Sequence, residues 1–161
     1  MLHQAVLLLG SNEGDSLQHL NFAESEIIKW AGNITMASSI YSSEAWGKKD
    51  QHDFLNKVII IETLLHPISL LQVLLTIELS AGRVREEKWG PRTLDIDILY
   101  FDDIVYQDDQ LLIPHSGISS RRFTLLPLCE IVPNAIHPVT GKSNQWMLEH
   151  CMDKGHVHLY K

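Results

Sequence analysis

Two aspartates interrupt an apolar run in "TLDIDILYFDD", residues 93–103. In a strand, side chains alternate between faces, so Leu94, Ile96, Ile98 and Tyr100 share one face and Asp95, Asp97 and Leu99 the other. Two carboxylates side by side repel. The strain is relieved when a cation sits between them or when one of them holds its proton. Such oxygens suit Mg²⁺, which keeps part of its water shell and takes one or two carboxylates together with substrate phosphates. A solvated strand face is the plainer reading, and D-x-D alone does not exclude it. The neighbours favour the ion. Arg83, Arg85, Lys88 and Arg92 lie just upstream, and His115, Arg121 and Arg122 follow downstream. A divalent site beside a basic loop is what a nucleotide polyphosphate requires. Trp89, among such polar neighbours, reads as a lid over bound substrates rather than a core residue.

These side chains need a scaffold. "AVLLLG" (5–10) is an apolar run closed by glycine and reads as a buried strand. Asp15 or Ser16 can cap a helix over 17–31. Segments 34–46 and 54–65 are rich in β-branched and apolar residues and read as two further strands. Pro67 suits the first turn of a helix over 68–82, with Gly82 after its end. Residues 93–103 form the fourth long strand, and 104–113 suggest a small hairpin or meander. A helix fits 119–131, where Pro127 should interrupt or bend it, and a shorter one fits 143–152. The order is βαββαβ with extra helix and strand at the C-terminal end. That predicts an α+β, ferredoxin-like antiparallel sheet with extra C-terminal helices. The two main helices take one face, and the other is left for a ligand or for the added elements. Segments 44–54 and 83–92, with Gly47, Gly82 and Gly90, read as loops able to close over substrates and exclude water.

At 161 residues the chain is expected to form one domain, 1–161, most simply as a monomer. Apolar residues make up 45 % and charged residues 20 %, which supports a real core. The net charge of −7 argues against a nucleic-acid or anionic-membrane surface, while leaving room for a local basic pocket. Cys129 and Cys151 lack metal-type spacing and read as reduced thiols of a cytoplasmic protein. The opening "MLHQAVLLLG" is too short to span a membrane and reads as a strand rather than a signal peptide. "GSN" at 10–12 follows a strand but matches neither glycine-rich phosphate-loop pattern, so Asn12 is read as a turn and packing residue near the site.

The run R-x-R…W-G-P-R-T-L-D-x-D over 83–97 is long and specific. With "LGSN" at 9–12, "FLN" at 54–56, "PH" at 114–115 and "RRFTLLPLCEI" at 121–131, the chain resembles the 6-hydroxymethyl-7,8-dihydropterin pyrophosphokinases of folate biosynthesis. The resemblance implies an α/β/α sandwich, and that ATP, as cosubstrate, gives its β,γ-diphosphate to the pterin hydroxymethyl oxygen and leaves as AMP. It implies two Mg²⁺ ions on Asp95 and Asp97, with Arg83 and Arg92 as catalytic cations acting on charge that develops during transfer. Arg85, His115 and Arg121 match phosphate-contacting positions, and Ile98 and Trp89 join the ATP set. On the pterin side, Phe54 and Phe123 match stacking aromatics. Asn56 matches the residue that reads the ring edge, since a carboxamide both donates and accepts. Asp95 and Trp89 also face the pterin. Ser43 offers its backbone there, while Glu44 and Trp46 change the shape of a loop that carries Thr-Pro in many members. Leu75, Gln110 and Leu112 depart from polar nucleotide contacts seen in some members.

Two other readings share parts of this pattern. An RNA-recognition domain has the same element order but needs stacked aromatics on its sheet and a basic surface. A Mg²⁺-dependent nucleotidyltransferase would use the same D-x-D, attack the α-phosphorus and release pyrophosphate.

Overall fold

In β1 (His3–Ser11) every residue from Ala5 onward is buried, because successive side chains enter two different cores. Ala5, Leu7 and Leu9 join one, and Val6 and Leu8 the other. β4 (Phe54–Thr63) behaves likewise, with Ile59 and Ile61 on one side and Val58 and Ile60 on the other. Both are therefore central strands. The structure is a computed structural model and describes residues 1–44, 51–82 and 93–161. Its main sheet is antiparallel in the order β5 (Asp95–Phe101), β1, β4, β3 (Tyr41–Ser43), β8 (Val157–Leu159). β2 (Asn33–Ala37) pairs with the far half of β4, in line with β3. This is the ferredoxin-like arrangement expected from the element order.

Asp15 caps α1 (Ser16–Trp30), its Oδ1 accepting the Gln18 N–H at 3.1 Å. Pro67 opens α2 (Pro67–Ser80), where a missing N–H costs nothing. Leu20, Ala23 and Ile27 of α1 and Leu70, Leu74 and Ile77 of α2 close one face of the sheet. On the opposite face lie α3 (Arg122–Ile131) and α4 (Asn144–Glu149), which bring Leu125, Leu128 and Met147 against Val6, Leu8, Val58 and Ile60. The short strands β6 (Tyr106–Gln107) and β7 (Leu112–Ile113) form the expected hairpin after β5.

Four local expectations need correcting. The strand expected over 34–46 is broken into β2 and β3 at 38–40. There the Ser38 hydroxyl takes the Val58 N–H at 2.9 Å, and Glu130 of α3 accepts from the Ser39 N–H and the Tyr41 hydroxyl. Side chains replace ladder bonds, so pairing lapses; burial and Glu130 push the Tyr41 phenol up to about 12. α3 begins at Arg122 rather than 119 and runs unbroken through Pro127, with Leu125 and Leu128 fully buried on either side. The last helix is short, 144–149, and leaves Cys151 outside it.

The fourth correction concerns β5. Tyr100 does not share a face with Leu94, Ile96 and Ile98. Val6 pairs with Tyr100 and Leu7 with Ile98, so Leu99 is an extra residue in a β-bulge. The insertion turns Leu99 and Tyr100 together toward α3 and α4 and returns Phe101 to the α1–α2 side.

Candidate active site

Register brings the site together. Gly10 of β1 pairs with Asp95 on one side and Asn56 on the other, and Asn56 pairs in turn with Tyr41. Directly paired residues share a face. Asp95 and Asn56 thus stand on the same side of the sheet, two strands or about 10 Å apart, with only a glycine between them. A Cβ on Gly10 would lie 3.3 Å from Asn56 Oδ1 and 3.8 Å from Phe54 Cδ1, so the bare position keeps that floor open.

Asp97 stands one step down β5 on the same face, opposite Leu8. The bulge frees the backbone beyond it, and the Leu99 carbonyl accepts the His115 N–H at 3.0 Å. This contact carries His115 to the aspartates, with Nε2 3.9 Å from Asp97 Oδ2. The Gly117 N–H donates to His115 Nδ1 at 2.9 Å, so Nδ1 is unprotonated and the neutral ring carries its proton on Nε2, toward the aspartate. Burial holds the His115 pKa below its ordinary value, Arg121 adds to that, and Asp95 opposes it. Gly117 serves Arg121 as well: an added Cβ would come within 2.7 Å of the guanidinium, which therefore lies against the bare backbone. The same guanidinium is 5.9 Å from the centroid of Phe123, on the first turn of α3.

A cleft of about 540 Å³ wraps the outer edge of β5. Leu71, Leu75 and Glu78 of α2 make one wall, and Gln110, Leu111, Leu112, His115 and Ser116 the other. Asp95, Ile96, Asp97 and Ile98 form its floor. Ile98 belongs to the α1–α2 core by its face, yet it reaches the cleft because the cleft lies along the edge of the strand. Leu75, Gln110 and Leu112, the departures noted in the sequence, all fall on these walls.

The residues expected on the pterin side occupy the neighbouring strands. Asn56 is 2 % exposed and donates from Nδ2 to Ser43 Oγ at 2.7 Å. Phe54 pairs with Ser43 and is half-buried at the sheet's end. Asn12 donates to Gln51 Oε1 and the His52 carbonyl, both at 2.9 Å, tying the chain ahead of β4 to the end of β1. Glu44 turns toward the C-terminal segment, where its carboxylate accepts the His156 N–H at 3.0 Å. Trp46, Arg83, Arg85, Trp89 and Arg92, and most of the two loops expected to close, lie outside the described residues.

Among the described residues, no group of three or more His, Cys, Asp or Glu side chains forms a protein-only metal cage. The donor set still fits Mg²⁺: two hard carboxylates share a face beside a cleft, with room for phosphate and water in the remaining positions. Residue types alone did not bring forward Gly10, Gly117 or Glu78. The two glycines act by what they lack, which only register and packing reveal. Glu78 did carry a signal, being an acid inside the apolar run "LLTIELS".

A sequence-family model described as 7,8-dihydro-6-hydroxymethylpterin-pyrophosphokinase (HPPK) matches residues 6–133. A Synechocystis protein named 2-amino-4-hydroxy-6-hydroxymethyldihydropteridine pyrophosphokinase is 41 % identical over 148 residues, covering 91 % of this chain and 75 % of the relative. The folic acid synthesis protein fol1 of Schizosaccharomyces pombe is 38 % identical over 157 residues, covering 97 % of this chain and 21 % of that protein. Among solved structures, a Plasmodium falciparum HPPK-DHPS triple mutant superimposes with a TM-score of 0.77 at 18 % identity. That match covers 93 % of this chain and 43 % of the Plasmodium chain, so this chain spans less than half its length.

Proposed function

The chain belongs to the 7,8-dihydro-6-hydroxymethylpterin-pyrophosphokinase family, and from that premise we propose how its residues divide the work. The reaction moves the β,γ-diphosphate of ATP to the hydroxymethyl oxygen of 6-hydroxymethyl-7,8-dihydropterin, giving AMP and the pterin diphosphate, a step of folate biosynthesis. The edge cleft takes the nucleotide, its apolar walls against the base and Asp95, Asp97 and His115 at the phosphate end. His115 donates from Nε2 to a phosphate oxygen, a role that suits a ring held neutral. Arg121 contributes fixed positive charge from its seat on Gly117. Asn56 reads the pterin edge, and Phe54 and Phe123 offer their ring faces to it.

Asp95 and Asp97 would hold Mg²⁺, two ions in the full complex, which neutralise the triphosphate and polarise the bonds that break and form. Arg83 and Arg92 act on the charge that develops in transfer, with Arg85 and Trp89 on the nucleotide and Ser43, Glu44 and Trp46 on the pterin side. The observation that supports this arrangement best is the cross-strand row Asp95–Gly10–Asn56. On this reading the phosphate end and the pterin-reading amide share one floor, at a spacing one small substrate can bridge.

The working unit is the single domain 1–161, acting as a monomer in the cytoplasm. Two free cysteines fit a reducing compartment, and among the described residues no helix is long and apolar enough to cross a membrane. Phosphorus NMR of a reaction with ATP, Mg²⁺ and the hydroxymethyl pterin tests the assignment. AMP and a pterin diphosphate are the expected products. Free pyrophosphate with a nucleotidylated pterin would identify the nucleotidyltransferase instead. Chelation of divalent ions is expected to stop turnover, and activity persisting under chelation would remove the metal role.

A further inference from the structure

Glu78 poses the same question as the two aspartates. It sits in the last turn of α2, 3 % exposed, in a helix that otherwise sends Leu70, Leu74 and Ile77 into the core. Burying a carboxylate is costly, and a chain retains one there when it does something specific. Its Oε2 accepts the backbone N–H of Ile96 at 2.7 Å. Ile96 is the residue between Asp95 and Asp97.

The geometry of β5 explains why that amide needs a partner. Among the described residues β5 is the edge strand of its sheet, with β1 as its ladder partner. The Ile96 N–H points away from β1, and Ile96 is itself only 4 % exposed, so a protein acceptor serves it in place of a ladder bond. Asp95 and Asp97 share a direction only while the residue between them stays extended; rotation at Ile96 would splay the two carboxylates apart. Glu78 also lines the same cleft as Asp95 and Asp97, so the clamp stands beside the groups it would align.

We propose that Glu78 is a positioning residue: it clamps the outer edge of β5 at Ile96 and so holds Asp95 and Asp97 in register for a divalent ion and the nucleotide phosphates. This rests on the reading of Asp95 and Asp97 as metal ligands. The contact is a short hydrogen bond from a buried amide to a buried carboxyl oxygen.

Three variants separate reach from charge. Glu78→Gln keeps an acceptor at the same reach without the charge. Glu78→Asp keeps the charge but falls one methylene short. Glu78→Leu keeps the volume and removes the acceptor. Two readouts apply: amide exchange of Ile96 by NMR in the free protein, and Mn²⁺ binding by electron paramagnetic resonance with α,β-methylene-ATP present. Glu78→Gln is expected to keep Ile96 protected and the half-saturating Mn²⁺ concentration within about twofold of wild type. Glu78→Asp and Glu78→Leu are expected to speed Ile96 exchange and raise that concentration about tenfold or more, the range seen when residues supporting metal ligands are lost.

Unchanged Mn²⁺ binding in Glu78→Asp despite faster Ile96 exchange would overturn the proposal, leaving Glu78 a purely structural acceptor. Damage in Glu78→Gln with none in Glu78→Asp would overturn it too, in favour of a charge effect. Should Glu78→Leu fail to fold, the Gln and Asp pair decides alone. A wild-type protein that binds no Mn²⁺ would sink the metal reading on which the proposal rests. That failure is recognisable because Asp97→Ala would then bind the analogue as the wild type does.

Discussion

Along β1 the residues facing α1 and α2, namely Ala5, Leu7, Leu9 and the hydroxyl-bearing Ser11, stay buried to the end of the strand. Those facing α3 and α4 change from Val6 and Leu8 to Gly10. β4 repeats the contrast: Leu55 is core on the first face, while the second passes from Ile60 and Val58 to Asn56 and Phe54. β5 repeats it again, with Ile96 and Leu94 buried on one side and Asp97 and Asp95 on the other. One face is packed throughout. The other is packed under α3 and α4 and then stops, and the candidate site begins where packing stops. A closed face directly beneath an open one gives the site rigid footing, which a set of loops would not.

Breaking the open face should cost activity and little stability. Asp97→Ala is expected to lower turnover by about three orders of magnitude, on the order of 4 kcal/mol of transition-state stabilisation, with a melting temperature close to wild type. Near-normal turnover in that variant would mean the chemistry lies elsewhere. The closed face should give the converse. Leu74→Ala, at a fully buried position, is expected to cost about 3 kcal/mol in urea unfolding while kcat per folded molecule holds. A stable Leu74→Ala protein with an altered KM for ATP would show that the two faces are not independent.

Smaller effects sharpen the contrast within the open face. Phe123→Ala should weaken pterin binding about tenfold, ~1.4 kcal/mol, and leave ATP binding alone; calorimetry showing equal losses for both would assign the ring to packing. Gly117→Ala adds a Cβ where the Arg121 guanidinium lies, while keeping the N–H that holds His115. Its KM for ATP is expected to rise a fewfold, roughly the effect of shifting one charged contact, with kcat and folding unchanged. An unchanged KM would remove Arg121 from the nucleotide.

The packed half of the second face also has a pH signature. His137 is buried against Tyr100, its Nδ1 accepting the Val139 and Thr140 N–H groups at 3.2 and 3.1 Å. Burial lowers its pKa from the ordinary 6.5. The unfolded chain then binds the proton more readily, so the stability His137 contributes is complete above about pH 6.5 and is lost as pH falls below it. His115 shifts in the same direction. Urea midpoints between pH 5 and 8 should therefore fall on acidification, and His137→Gln should flatten part of that slope. An unaltered slope in the variant would assign the whole effect to other groups.

Several features are legible in the residue order alone. Alternation in "TLDIDILYFDD" put Asp95 and Asp97 together on the face away from α1 and α2. Asp15 and Pro67 marked the helix starts where they occur. The reading failed at Tyr100, because a bulge depends on pairing with β1 and leaves no local mark in the residues that form it. It failed at 38–40 for a related reason: Glu130, far along the chain, supplies the acceptor that diverts the backbone. Ile98 and Leu75 could be assigned a face and a helix, but not a shared cleft.

Residue order was enough to set which side chains alternate, where helices are capped, and which acids and bases lie close along the chain, because those properties arise within a few residues. It did not set what stands beside what across the sheet. That Gly10 separates Asp95 from Asn56, that Gly117 seats both His115 and Arg121, and that Glu78 grips the amide between two aspartates all follow from strand register and the packing of α2 on β5. Long-range pairings are chosen by the burial of whole faces at once, so their consequences emerge only when the complete chain has folded.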